Sequence, residues 1–189
     1  MEERKFSLIN RLLHWTIAFA LLFLLLTIFL RQNWMNKHNV ADILTAKLSE
    51  LDVSLEDGQA VKIAKSIRKP MWNWHIYVGY VLIGLYFIKL LFMTIKGPVF
   101  LSPFSKSSST KEKFQSWVYI SFYIFLGFSL VTGALIVLWP DTFKHSLEQW
   151  HVLSDYWLIG FIILHFGGVL LAELGGDKGI VSRMINGNK

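Results

Sequence analysis

The sequence predicts an all-α integral membrane protein, a four-helix transmembrane bundle. Of its 189 residues 53% are hydrophobic and the mean hydropathy is +0.44, too apolar for an ordinary soluble domain. The apolar residues gather in four runs, at 12–30, 75–95, 117–139 and 151–172. A hydrocarbon core about 30 Å thick needs roughly 20 residues of helix rising about 1.5 Å each, and each run supplies that length. The runs are longer than the alternating segments of about ten residues that build a membrane β-barrel. Helices also satisfy every backbone group within the segment. Only Lys89 and Asp155 are charged inside the runs, and both fall toward helix ends, where a side chain reaches the headgroups.

Each element has its own justification. Charges precede span one, as in a signal peptide, but the apolar run is too long for an h-region and no small-residue cleavage site follows, so span one is expected to persist. The connection 31–73 is expected to lie outside. Within it, "SLEDGQAVKIAKSIRKP" opens with a Ser-x-x-Asp capping pattern at Ser54 and sets Ala60, Ile63, Ala64 and Ile67 on one face, which predicts a short amphipathic helix on the outer surface. Pro70 then stops that helix or begins span two, placing His75 on helical backbone. "SKSSSTKEK", 105–113, reads as a plain polar loop. After Pro140, Asp141 is the expected N-cap of a lead-in to span four, so that His151 is helical too. All of 1–189 is read as one membrane domain.

Arg4, Lys5, Arg11, Lys96, Lys106, Lys111, Lys113, Lys178, Arg183 and Lys189 fall on the side of the termini. Their mild excess over the basic residues opposite predicts both termini in the cytoplasm. The net charge of +6 suits anionic lipid better than nucleic acid, so membrane lipid is an expected partner and nucleic acid is not. The absence of cysteine excludes disulfides, thiolate metal sites, iron–sulfur clusters and covalent haem attachment.

Six histidines remain. His38 and His145 fall in outer loops and receive no role. His14, His75, His151 and His165 lie at or within the spans, where ionisable groups are rare and usually functional. His151 and His165 are fourteen residues apart on one helix, about 21 Å and roughly four turns, so they share a face at two depths. Span one brings His14 to the level of His165, and span two brings His75 to the level of His151. Two pairs at two levels do not suit zinc, which wants three or four converging ligands. They suit two bis-imidazole haems b, closed to exogenous ligands and fit for electron transfer.

Gly79, one turn after His75, and Gly168, three residues after His165, offer room for a porphyrin against backbone, although small residues equally serve helix packing. Lys89 is expected to reach the inner surface, where it, Arg11 or both pair with haem propionates, the alternative being that it snorkels to lipid phosphate. Trp15, Trp74, Trp117, Trp139 and Trp150 fit an interfacial aromatic belt.

On these residues the chain resembles the bacterial cytochrome b561 family and the related b-type cytochrome subunits of membrane-bound hydrogenases. The matching features are "RLLHW" in span one, "HIYVGY" in span two, the fourteen-residue histidine pair, and the G-x-x-x-R-M tail in "DKGIVSRMINGNK". The resemblance implies that His14, His75, His151 and His165 bind the irons of two haems b, in a bacterial inner-membrane protein carrying electrons between the quinone pool and a membrane or periplasmic redox partner. It departs from relatives in lacking a histidine in span three, in having Glu173 where some carry one, and in lacking a further span of the hydrogenase-docking members. Two other functions stay open: a stand-alone quinone-linked oxidoreductase, such as a superoxide:quinone oxidoreductase, and a haem-containing membrane anchor of a larger redox complex.

Overall fold

The computed structural model describes residues 6–56, 58–97, 102–106, 108–139, 141–175 and 178–187. Among these there are only helices, turns and bends. The element order is α1 (Leu8–Gln32), α2 (Lys37–Ser49), α3 (Gln59–Lys96), α4 (Thr110–Leu138), a 3-10 turn (Asp141–Phe143), α5 (Lys144–Leu174) and α6 (Ile180–Asn186). α1, α3, α4 and α5 are long and apolar enough to cross a membrane.

Their surface is inverted relative to a soluble protein. Phe19, Phe87, Ile163 and Leu171 are each more than 60% exposed, whereas Thr27, Lys89, Ser116, Ser129, Thr132 and Arg183 are each less than 9% exposed. Apolar side chains outward and polar ones inward is the stable arrangement only where the surroundings are lipid. The chain is a multi-pass membrane protein in contact with lipid.

The helices outrun their apolar runs because backbone hydrogen bonding continues into polar flanking residues that can cap it. The stretch expected as a plain loop ends in a capping box. The Ser109 hydroxyl accepts from the Glu112 amide at 3.3 Å, and the Glu112 carboxylate accepts from the Ser109 amide at 2.8 Å, so α4 starts at Thr110. The expected amphipathic surface helix is instead the first part of α3, which continues through Pro70. One proline removes a single bond, to the Ser66 carbonyl, and the ladder on both sides outweighs it. Of the expected apolar face only Ala64 is buried, at 0% exposure, while Ile63 and Ile67 remain exposed. The capping pattern begun at Ser54 ends on Asp57, outside the described residues, as is Pro140. A 3-10 turn begins at Asp141, whose side chain lies outside what is described, and Phe143 is the N-cap position of α5.

α2 was not foreseen. Asn36 caps it, its side chain accepting from the His38 amide at 2.9 Å. Val40, Ile43, Leu44 and Leu48 carry the helical spacing that would have announced it.

The chain divides into two compact units, one of Met1–Ile17 with Leu82–Lys189 and one of Ala18–Val81. In the first, α4 and α5 are antiparallel, because pairings that climb α5 descend α4: His151 with Thr132, Ser154 with Ser129 at 2.6 Å, and Phe161 stacked on Phe122 at 4.2 Å. The end of α3 joins α4 where the Tyr86 hydroxyl donates to the Tyr123 carbonyl at 2.9 Å. Gly127 makes room for that tyrosine, since a Cβ there would lie 2.7 Å from its hydroxyl. In the second unit the end of α1 meets the start of α3 through Thr27 and His75.

Candidate functional site

The first unit brings two of the predicted histidines together. The rings of His14 on α1 and His165 on α5 lie 5.9 Å apart, centre to centre, with planes tilted by 45°. Two imidazoles binding one metal ion from opposite sides, at about 2.0 Å per metal–nitrogen bond, place their centres about 6 Å apart. The observed separation is close to that value. Phe161, one turn before His165, stacks on it at 5.5 Å, and Trp15 meets His14 edge-on at 5.5 Å. Among the described residues no three His, Cys, Asp or Glu converge on one point.

The cations lie close by. Lys89 does not run out to the surface as expected: it is 8% exposed, and its ammonium donates to Asn10 Oδ1 at 2.7 Å. Arg11 donates from one terminal nitrogen to the Ile185 carbonyl of α6 at 2.8 Å, while its Nε is buried without a hydrogen-bond partner. Gly187 is needed for this contact, because a Cβ there would lie 2.8 Å from the guanidinium carbon and the residue has φ +81°, a conformation that glycine adopts without strain. Trp15 adds a bond from its indole nitrogen to the Met184 carbonyl at 3.1 Å. Arg183, in the tail motif but given no role from sequence, is 5% exposed.

α6 is held from α5 by Glu173. Its carboxylate accepts from the Gly179 amide at 2.8 Å and the Val181 amide at 3.4 Å, satisfying orphan donors at the helix start and complementing its dipole. The residue that departs from histidine-bearing relatives is thus a cap that positions the helix gripping Arg11 and Trp15. Replacing it with alanine should loosen α6 by about 1 kcal/mol. Amide exchange at Gly179 and Val181 checks this, with roughly fivefold faster exchange expected and unchanged rates ruling out the cap.

His151 packs against α4. Its Nδ1 is 3.2 Å from the Thr132 hydroxyl, and its Cε1 would lie 2.9 Å from a Cβ at Gly133. Span three has no histidine, yet its Thr-Gly step seats one. Such a polar pair in an apolar run was the available signal. In the second unit His75 Nδ1 is 2.7 Å from the Thr27 hydroxyl. Trp72 stacks on His75 at 4.6 Å and 6°, and Arg31 stands 4.1 Å over the Trp72 ring. Arg31, Lys65, Arg68 and Lys69 border a pocket beside that indole. A Cβ at Gly79 or Gly168 would meet nothing within 4 Å, so neither glycine is required for packing against the protein's own atoms.

Four helices long and apolar enough to cross a membrane, with inward polar groups and two histidine rings side by side, define a multi-pass helical membrane protein. The family model for prokaryotic cytochrome b561 matches residues 5–187, and the chain belongs to that family. Its members are membrane b-type cytochromes that transfer electrons, and haem b is the cofactor the family implies. Comparison with curated proteins and with solved structures finds no match.

Proposed function

We propose that the protein is a dihaem b-type cytochrome of the bacterial inner membrane, with both termini in the cytoplasm, that carries electrons between the quinone pool and an outer redox partner. The observation that carries this reading is the 5.9 Å separation of the His14 and His165 rings, which suits one iron held from both sides. The second haem is assigned to His75 and His151 from their matched depth along the sequence. Bound haem b supplies a one-electron iron couple in lipid, where the protein alone has none.

The residues divide the remaining work. His14, His75, His151 and His165 would hold the two irons, and a site closed by two imidazoles would favour electron transfer over oxygen chemistry. Arg11 and Lys89, with Arg183 added, would supply positive charge for the propionates of the haem nearer the termini. Gly79 and Gly168 leave open backbone for a porphyrin face. Placing His151 and His165 about 21 Å apart on one helix serves passage from one face of the membrane to the other. The cationic pocket of Lys65, Arg68 and Lys69, beside the indole stacked on His75, favours an outer partner with an acidic face.

The test is a reduced-minus-oxidised spectrum with a pyridine haemochrome titration of the purified protein. Two haems b per chain are expected; one or none overturns the dihaem reading. Reduction of the haems by a soluble quinol, without turnover until a partner is added, is expected of a conduit. Steady quinone reduction by superoxide with the protein alone would instead assign it as a superoxide:quinone oxidoreductase.

A further inference from the structure

Two of the four histidines share an arrangement with a threonine of a neighbouring helix. On α1, the Thr27 hydroxyl is 2.6 Å from the Leu24 carbonyl and 2.7 Å from His75 Nδ1. On α4, the Thr132 hydroxyl is 3.0 Å from both the Phe128 and Ser129 carbonyls and 3.2 Å from His151 Nδ1. Both threonines are buried, at 2% and 5% exposure, so bulk water does not compete for these bonds.

The direction of each bond follows from counting hydrogens. A hydroxyl has one hydrogen and two lone pairs, and a carbonyl only accepts. The hydrogen of each threonine therefore goes to its own helix carbonyl, the usual bond of a helical threonine. The oxygen then faces the imidazole with lone pairs only, and the bond closes only if Nδ1 carries the hydrogen. A neutral imidazole has one N–H, so Nε2 is left as the lone-pair nitrogen.

We infer that Thr27 and Thr132 are positioning residues that fix His75 and His151 in the Nδ1–H form, each presenting Nε2 as the iron-binding atom. The inference rests on the ligand assignment proposed above and adds to it which nitrogen binds and what selects it. An acceptor on Nδ1–H also raises the basicity of Nε2 and so favours the oxidised iron. Among the described residues His14 and His165 have no such hydroxyl partner, so the device belongs to the other two histidines.

The test uses the purified holoprotein with Thr27→Val, Thr132→Val and the corresponding serine variants. The readouts are haem per chain, a potentiometric titration followed at the haem band, and the rate of haem transfer to excess apomyoglobin. Valine keeps the shape and removes the threonine oxygen, while the Ser129 backbone carbonyl stays beside His151. It should speed the loss of one haem by about tenfold, the lower end for removing a ligand's hydrogen-bond partner, and move one midpoint potential positive. Serine, which keeps the hydroxyl, should restore both. Unchanged potential and release in the valine variants overturn the inference, and so do serine variants that behave like valine. If a valine variant does not accumulate, its serine counterpart decides: wild-type potential and release support the hydroxyl's role, and a positive shift refutes it. His75→Leu and His151→Leu separate the two levels of the argument. If these keep both haems the ligand assignment fails; if they lose one while the valine variants match wild type, only the threonine role fails.

Discussion

Leucine in place of His165, or of His14, is expected to take haem b from two per chain to one, with the double variant no worse than either single. The rings stand 5.9 Å apart, so in the proposed site each would supply one side of the same iron, and residues acting as a unit are non-additive. Leucine fills most of the imidazole volume without a lone pair, which keeps the cavity term small. The haem assigned to His75 and His151 should survive with its own midpoint potential. Pyridine haemochrome against protein concentration reads the stoichiometry, and a potentiometric titration reads which component is gone. Full haem content in either variant would refute the pair.

Valine in place of Gly133 is expected to remove the other haem. The first carbon of any side chain there lies 2.9 Å from His151 Cε1 and 3.5 Å from its Nε2, too close for the ring to remain. The ring cannot swing aside without losing the Thr132 contact at 3.2 Å. Overpacking of this kind costs about 1–3 kcal/mol even where no cofactor is involved, and here it also moves a ligand. Gly160→Ala, with nothing within 4 Å of the new carbon, is the control and should leave both haems in place. Reduced-minus-oxidised spectra of the two variants decide it: equal haem content in Gly133→Val and wild type would show that His151 is free to move or is no ligand.

Gly79→Ala and Gly168→Ala extend the comparison. The polypeptide has room for both methyl groups, so helix content by circular dichroism should not change. Faster haem release to apomyoglobin from either variant would support a porphyrin against that backbone, and wild-type release would assign the open space to lipid.

Much of this protein is legible along the chain. The number of membrane-crossing helices follows from the length of apolar runs, because the bilayer demands a fixed count of residues per crossing. The histidines stand out because an ionisable group in lipid needs a reason to be there. Boundaries were less legible. α3 runs through Pro70 and begins at Gln59, and α4 begins at its capping box, since helical hydrogen bonding does not stop where hydropathy does. α2 was readable from Asn36 and the spacing of Val40, Ile43, Leu44 and Leu48.

Run length and composition are enough to specify an all-helical membrane protein with four helices able to cross and four histidines at or within the apolar runs. These are properties of length, composition and rise per residue, which need no partner. The tertiary structure alone decided which groups meet: His14 with His165, Thr27 with His75, Thr132 and Gly133 with His151, Lys89 with Asn10, and Glu173 with the start of α6. Those contacts depend on how each helix is rotated about its axis against its neighbours. In lipid, where apolar residues face outward on every helix, hydrophobic periodicity does not report that rotation; close packing and buried hydrogen bonds set it.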